Sequence, residues 1–143
     1  MKRLFRLDVL LIVILLVASL AAAVGAETGN FAGSVDIGGG RKMYLKCSGT
    51  GSPTVVLVGG LRASANDWDI SDKSKPTVFT GVGNFTRVCA CDRPGTPVGE
   101  KPSRSDPVPQ PTTAKDAVAD LHVLLSAAGE AGPYVLVGHS YAV

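Results

Sequence analysis

The chain has 143 residues, a formal net charge of +2 and a hydrophobic content of 45%. Apolar residues concentrate in positions 9–26, and the 117 residues after Ala26 carry eleven basic and eleven acidic side chains, so this body is neutral. A neutral body of this length allows one domain and argues against nucleic acid as a partner.

The N-terminal segment has the layout of a secretory signal peptide: basic residues, an apolar run and then small residues. The small residues favour cleavage after Ala26, with an alternative register at residues 21–23. The other interpretation is an uncleaved anchor, which would attach the protein to the membrane through residues 9–26, although spanning usually takes ~20 residues. Either way we expect residues 1–26 to direct residues 27–143 out of the cytoplasm.

The first half of the body predicts three strands. Residues 34–37 and 41–47 are strand candidates, and the glycines at 38–40 between them indicate a hairpin. Apolar and polar residues alternate in the second candidate, which therefore exposes one face to solvent. The run at 54–58 is continuously apolar and β-branched after its first residue, which is typical of a strand covered on both faces.

The next segment is less regular. Residues 61–84 predict a poor helix or a loop with one helical turn, starting near Trp68. Residues 85–91 form another strand candidate, and residues 92–112 hold six of the nine prolines, which predicts a surface loop.

A helix is predicted from Thr113 to Gly129. Thr113 and Asp116 resemble a capping box, and Gly129 stands where a glycine cap ends a helix. One apolar stripe has helical spacing: Ala114, Ala117, Val118, Leu121, Leu124, Leu125 and Ala128. A second apolar strand follows at 134–137. This alternation of strands and helices predicts a mostly parallel sheet in a three-layer αβα arrangement, with an antiparallel hairpin at its N-terminus.

The residues with the clearest chemistry follow this last strand. Gly138 and Ala142 flank Ser140 at the spacing that a tight strand-to-helix turn needs if it is to expose a nucleophilic hydroxyl. The turn would also leave the backbone N–H of Tyr141 free to bind a developing oxyanion. The pattern alone arises by chance in about one chain in ten of this length, so its position after a buried strand is what makes it informative.

These segments together resemble the α/β-hydrolase superfamily, and most closely exported bacterial serine hydrolases of the esterase–lipase type. The resemblance covers residues 33–143. The matching segments are PTVVLVGGL (53–61), NDW (66–68), RVCACDRPG (87–95) and YVLVGHSYA (134–142). The strands that it implies are 33–37, 41–47, 54–58, 86–91 and 134–138.

The resemblance implies a role for three residues. Ser140 would be the nucleophile, and the backbone N–H groups of Tyr141 and Leu61 would be the oxyanion donors. The implied reaction is hydrolysis of a small-molecule ester or similar acyl substrate through an acyl-serine intermediate, with no metal or organic cofactor. A serine nucleophile disfavours the dehalogenase and epoxide hydrolase chemistries, which similar families perform with aspartate.

The chain has three cysteines, at 47, 89 and 91, which suits an exported protein. Their spacing, without a nearby histidine, is poor for zinc, so one disulfide and one buried thiol are expected. The resemblance places the second strand beside the fourth, which implies a bridge between Cys47 and Cys89 with Cys91 as the competing partner.

The resemblance also implies residues that follow the nucleophile. In this fold the acid and the histidine of the triad come later in the chain, whereas the two histidines here are His122 and His139. We therefore expect the N-terminal part of a hydrolase, ending after the fifth strand and the serine turn, with little or no turnover. The alternative is a non-catalytic exported binding module or a degenerate hydrolase remnant. Asp92 is expected to pair with Arg93 or to cap the proline-rich turn.

Overall fold

The computed structural model describes residues 29–72, 75–95 and 97–142. In these residues the strands are β1 (Phe31–Asp36), β2 (Lys42–Ser48), β3 (Thr54–Val58), β4 (Val88–Cys91) and β5 (Tyr134–Gly138). The α-helices are α1 (Val78–Gly83) and α2 (Ala114–Ala127), and short 3-10 helices span Ala65–Asp69 and Ser140–Ala142.

The predicted signal peptide or anchor, residues 1–26, lies outside the described residues, as does its boundary with the body. Within the described ranges, no helix has the length and apolar character needed to cross a bilayer.

The strands form one mixed sheet in the order β1-β2-β4-β3-β5. β1 pairs with β2 as an antiparallel hairpin, β2 pairs antiparallel with β4, and β3 pairs in parallel with both β4 and β5. Val58 is the register partner of both Cys91 and Gly138, so the three parallel strands end level. The loops that follow them therefore start side by side, at the edge where sites form in open α/β sheets.

Helices pack on both faces of the sheet, which confirms the three-layer prediction. On one face Leu124 of α2 belongs to a buried cluster with Met43, Leu45, Cys47, Cys89 and Cys91. On the other face α1 and the first 3-10 helix contribute Phe79 and Ala65 to a cluster with Val55, Leu57, Val88 and Ala90.

Helix α2 begins and ends as its sequence predicts. The Thr113 hydroxyl accepts the Asp116 N–H, and the Asp116 carboxylate accepts the Thr113 N–H, which completes a capping box. Gly129 has φ +71°, and its N–H and that of Glu130 donate to carbonyls of the last turn, which is a Schellman motif.

The apolar stripe of α2 is only partly covered by the described residues. Leu124 and Leu125 are buried, whereas Val118 is 67% exposed. Strand β5 is similarly open: it lies at the edge of the sheet, and Leu136 is 64% exposed. The N-terminal half of α2 and strand β5 thus border an open apolar groove.

The predicted boundaries of β1 and β2 differ from the structure by one residue at the end of β1 and at both ends of β2, and three differences are larger. β1 begins earlier, at Phe31, because Gly33 continues the ladder opposite Leu45. β4 begins later, at Val88, because the amides of residues 85 and 86 both donate to the Val82 carbonyl in the turn that ends α1. Residues 61–84 hold two short helices, each with its own N-cap, instead of one helical turn.

Candidate active site

Ser140 is the first residue of the short 3-10 helix that follows β5, and it lies at the sharp turn between them. Its backbone φ is +56°, a left-handed conformation that residues other than glycine rarely adopt. The turn is fixed on both sides, because the His139 N–H donates to the Val58 carbonyl (3.2 Å) and the His139 carbonyl accepts the Ala142 N–H (3.2 Å). Ser140 is exposed to solvent. A strained, exposed serine at the end of a strand is the geometry that presents a nucleophile.

The loop after β3 lies directly against this turn. A Cβ added to Gly60 would lie 2.9 Å from both the Ser140 Cβ and the His139 carbonyl oxygen, and 3.4 Å from the Ser140 Oγ. Only a residue without a side chain fits at this distance. The Ser140 hydroxyl and the backbone of the β3 loop are therefore immediate neighbours.

The structure brings both predicted oxyanion donors to this place. Leu61 follows Gly60 in a turn in which the Gly60 carbonyl accepts the Ala63 N–H (3.3 Å) and Arg62 has φ +63°. Tyr141 follows Ser140 directly. Among the described residues, neither the Leu61 N–H nor the Tyr141 N–H has a hydrogen-bond acceptor. Unpaired N–H groups near a nucleophilic serine can bind an oxygen that gains negative charge, and this role of Leu61 and Tyr141 stays a prediction.

No base contacts Ser140 within the described part of the chain. His122 is an exposed residue of α2, and His139 is exposed and contributes only its backbone groups to the turn. Neither imidazole forms a hydrogen bond with the serine. The described residues therefore hold a candidate nucleophile and candidate oxyanion donors, without a histidine in contact with the serine, which acyl transfer requires.

Asp92 has a structural role, as predicted, and it connects two loops. Its carboxylate is fully buried and accepts two hydrogen bonds from Arg104, from Nε (2.6 Å) and Nη2 (2.8 Å). It also accepts the Ala65 N–H (2.8 Å). The sequence predicted Arg93 or the proline-rich turn as the partner of Asp92, and the partner shown is Arg104, which lies within that proline-rich segment. Hydrogen bonding to Asp92 raises the pKa of Arg104.

An apolar cavity of about 230 Å³ adjoins the serine turn on the α2 side of the sheet. Tyr141 lines it, and the Arg93 guanidinium lies 5.1 Å from the centre of the Tyr141 ring. Other lining residues are Val58, Ala117, Val118, Leu121 and Leu136. The cavity is the inner end of the open groove between α2 and β5.

Cys47 and Cys89 form a disulfide, the pairing that the resemblance implied, and they are register partners in β2 and β4. Cys91 is a buried free thiol. Both cysteine sulfurs lie near the Glu130 carboxylate, the one group of potential metal ligands in the described ranges. The disulfide occupies both sulfurs, and Arg87 pairs with Glu130 at 2.5 Å, so these residues do not fit a metal ion.

Comparison with known proteins identifies this fold. No protein-family model and no curated protein matches the sequence. Solved structures do match: a candidate lipase from Acinetobacter baumannii AYE shares 23% identity at a TM-score of 0.59 over 79% of this chain. A serine hydrolase involved in carbazole degradation shares 22% identity at a TM-score of 0.59 over 80% of this chain. An epoxide hydrolase from Vigna radiata shares 21% identity at a TM-score of 0.58 over 79% of this chain.

These likenesses show the fold and not the reaction. The chain spans 34%, 40% and 32% of the lengths of those three proteins, so it matches about a third of each.

Proposed function

Because the described residues have the fold of the N-terminal part of an α/β-hydrolase, we propose that the protein is a serine hydrolase of this type, with Ser140 as its nucleophile. The substrate is a small-molecule ester or a similar acyl compound. The observation that carries the proposal is the left-handed, exposed Ser140 at the end of β5, in contact with Gly60.

The proposed reaction follows from the placement of these groups. The Ser140 oxygen attacks the acyl carbon, and the carbonyl oxygen takes up the electron pair while the N–H groups of Leu61 and Tyr141 stabilise it. Collapse of this intermediate expels the alcohol, which takes up the proton that left the Ser140 hydroxyl, and leaves an acyl group on Ser140. Water then releases the acid and restores the serine. None of these steps uses a metal or an organic cofactor.

Turnover also needs a base that removes the proton of Ser140 and activates the water. The described residues contain no histidine in contact with the serine, so we propose that residues 1–143 alone have little or no turnover. An oxyanion site without its base still accelerates attack by the serine, although far less than a complete triad does. The isolated chain should therefore be acylated slowly, about once per molecule.

Acylation by an activated ester tests this proposal. The folded chain is incubated with p-nitrophenyl acetate, the released nitrophenol is followed, and the intact mass is measured. We expect about one acetyl group per chain, located at Ser140 and missing in the Ser140→Ala variant. Ser126→Ala, an exposed serine on α2, is the matched control and should behave as the wild type.

Two results would contradict it. Continuous nitrophenol release that Ser140→Ala abolishes would show that the chain turns over. An unmodified Ser140 in the folded chain would mean that the serine is no nucleophile and would favour the non-catalytic binding module.

We also propose that the protein acts outside the cytoplasm, secreted or anchored through residues 9–26. The signal-like sequence of residues 1–26 and the disulfide between Cys47 and Cys89 support this, because such bonds persist in oxidising compartments. Fractionation of expressing cells, with N-terminal sequencing of the exported protein, tests it. Cleavage after Ala26 is expected, and a cytoplasmic, uncleaved protein would contradict export.

A further inference from the structure

We propose that the buried carboxylate of Asp92, held by Arg104, positions the loop after β3, and thereby places the Leu61 N–H for catalysis. This inference rests on the proposed function and adds to it two positioning residues that contact neither the substrate nor the reacting atoms. The link is the hydrogen bond from the Ala65 N–H to the Asp92 Oδ1 (2.8 Å).

Asp92 connects the ends of two neighbouring strands. It follows β4 directly, its side chain is fully buried, and Ala65, which is also fully buried, belongs to the loop that leaves β3. The Asp92 backbone is held as well, because its carbonyl accepts the Ser105 hydroxyl (2.6 Å). The carboxylate is therefore a fixed point to which the β3 loop is attached.

Arg104 orients this carboxylate. The Arg104 guanidinium donates to both oxygens of the Asp92 carboxylate, at 2.6 and 2.8 Å, and it lies 3.5 Å from the centre of the Tyr44 ring. A bidentate pair fixes the plane of the carboxylate in addition to its position. Oδ1 consequently accepts from Arg104 and from Ala65 at the same time.

The attached loop is the one that carries the proposed donor. Leu61 is 62% exposed, and it lies between Gly60, which contacts Ser140, and Ala65, which is bound to Asp92. The backbone of Leu61 is therefore placed by the attachments of its neighbours: Gly60 against Ser140, the Arg62 guanidinium on the Gly99 carbonyl, and Ala65 on Asp92. An oxyanion donor must be held within a few tenths of an ångström of its productive position. Loosening the Ala65 attachment should therefore move the donor while leaving Ser140 in place.

The chain contains a matched control for this pair. Arg41 and Asp120 form a bidentate ion pair of the same kind, at 2.9 and 2.8 Å, between the start of β2 and α2. The Arg41 side chain is 34% exposed and that of Arg104 is 36% exposed. Replacing either arginine by lysine keeps the positive charge and removes the bidentate hydrogen bonds. Only the change at Arg104 should affect the attachment of the β3 loop.

The test compares Asp92→Asn, Arg104→Lys and Arg41→Lys in the full chain. Two quantities are measured: the rate of Ser140 acylation by p-nitrophenyl acetate, and amide hydrogen exchange in the peptide that spans residues 61–65. We expect acylation to slow about 100-fold in Asp92→Asn and about 10-fold in Arg104→Lys, because losing one oxyanion donor costs about 100- to 1,000-fold. Exchange in the peptide should become faster in both variants. Arg41→Lys should change neither quantity.

The possible outcomes separate this inference from the proposed function. Wild-type acylation rates in the folded Asp92 and Arg104 variants would overturn it, and so would equal slowing in Arg41→Lys, which would indicate general destabilisation. If Asp92→Asn fails to fold, the partly exposed Arg104→Lys decides. If wild-type Ser140 is not acylated, the proposed function fails. Amide hydrogen exchange in residues 61–65 then decides whether Asp92 and Arg104 position the loop. Faster exchange in the Asp92 and Arg104 variants, but not in Arg41→Lys, would support this role, and any other result would overturn it.

Discussion

Gly60 lies against Ser140 so closely that a Cβ on the glycine would be 2.9 Å from the Cβ of the serine. The same Cβ would also be 2.9 Å from the His139 carbonyl oxygen, which is part of the backbone and cannot rotate away. The turn that presents the serine and the loop that carries the proposed donor are thus fitted to one another through a single glycine.

Gly60→Ala should therefore lower both stability and Ser140 reactivity. Overpacking of a fitted contact costs about 1–3 kcal/mol, and relief of the clash must move either the loop or the serine turn. Urea unfolding and the acylation rate measure the two effects. Gly29→Ala is the control, because a Cβ at Gly29 meets no atom within 4 Å. Equal stability of the two variants would show that the contact is not tight.

The left-handed φ of +56° at Ser140 predicts that glycine is more stabilising than alanine at this position, which is the opposite of their order in a helix. Ser140→Gly should be more stable than Ser140→Ala by about 1 kcal/mol, because glycine adopts this conformation without strain. At Ser126, in the last turn of α2, the order should be the opposite, since alanine is the better helix former. Denaturant unfolding of the four variants checks this. The same order at both sites would contradict a strained serine.

The disulfide between Cys47 and Cys89 should be the largest single contribution to stability among the cysteines. The bridge spans 42 positions of sequence, and a loop of that size corresponds to about 4 kcal/mol in the chain-entropy account. The double variant Cys47→Ala/Cys89→Ala should lose about that much, and Cys91→Ala clearly less. Unfolding with and without a reductant checks the origin of the loss. A reductant should destabilise the wild type and Cys91→Ala but leave the double variant unchanged.

Cys91 predicts a loss of stability at alkaline pH. Burial raises the pKa of the Cys91 thiol from 9.0 to about 12, so the folded chain keeps a proton that the unfolded chain releases. The free energy of unfolding should therefore fall as the pH rises from 9 toward 12. The Cys91→Ala variant should show a smaller fall over the same range. An identical pH profile for both proteins would contradict the burial of this thiol.

The capping box of α2 predicts a loss of stability at acidic pH. Hydrogen bonds from Thr113 lower the pKa of the Asp116 carboxylate, so its contribution is present at neutral pH and is lost as the pH falls through that pKa. Thr113→Ala should cost about 1 kcal/mol at neutral pH, the usual effect of removing an N-cap. In this variant the free energy of unfolding should also fall less as the pH is lowered, which unfolding at several pH values would show. An unchanged acid dependence would mean that the box does not form in solution.

The sequence was sufficient for the features that depend on local pattern. The continuous apolar run at 54–58 matches β3 residue for residue, and Thr113, Asp116 and Gly129 predicted both ends of α2. The serine turn after β5 also follows from small residues around Ser140. Each of these rests on interactions between residues that are close along the chain.

Features that depend on the path of a loop could not be predicted in the same way. Arg104 lies 12 positions from Asp92, within a proline-rich segment whose course no periodicity reveals. The charge of Asp92 gave no means of choosing between Arg93 and Arg104. Its hydrogen bond with the Ala65 N–H joins the loops that follow two different strands, β4 and β3, so no local pattern marks it. Leu61 entered the site only through a family resemblance, because nothing in its side chain marks a backbone donor.

The central claim is that the fold activates Ser140, and fluorophosphonate labelling of the folded and the urea-unfolded chain tests it most directly. Mass spectrometry of the digested protein locates the adduct and gives its rate of formation at each serine. We expect Ser140 to be labelled much faster than any other serine in the folded chain, and to lose this advantage when the chain unfolds. Labelling of Ser140 at the same rate in both states, or no faster than Ser126, would contradict the account.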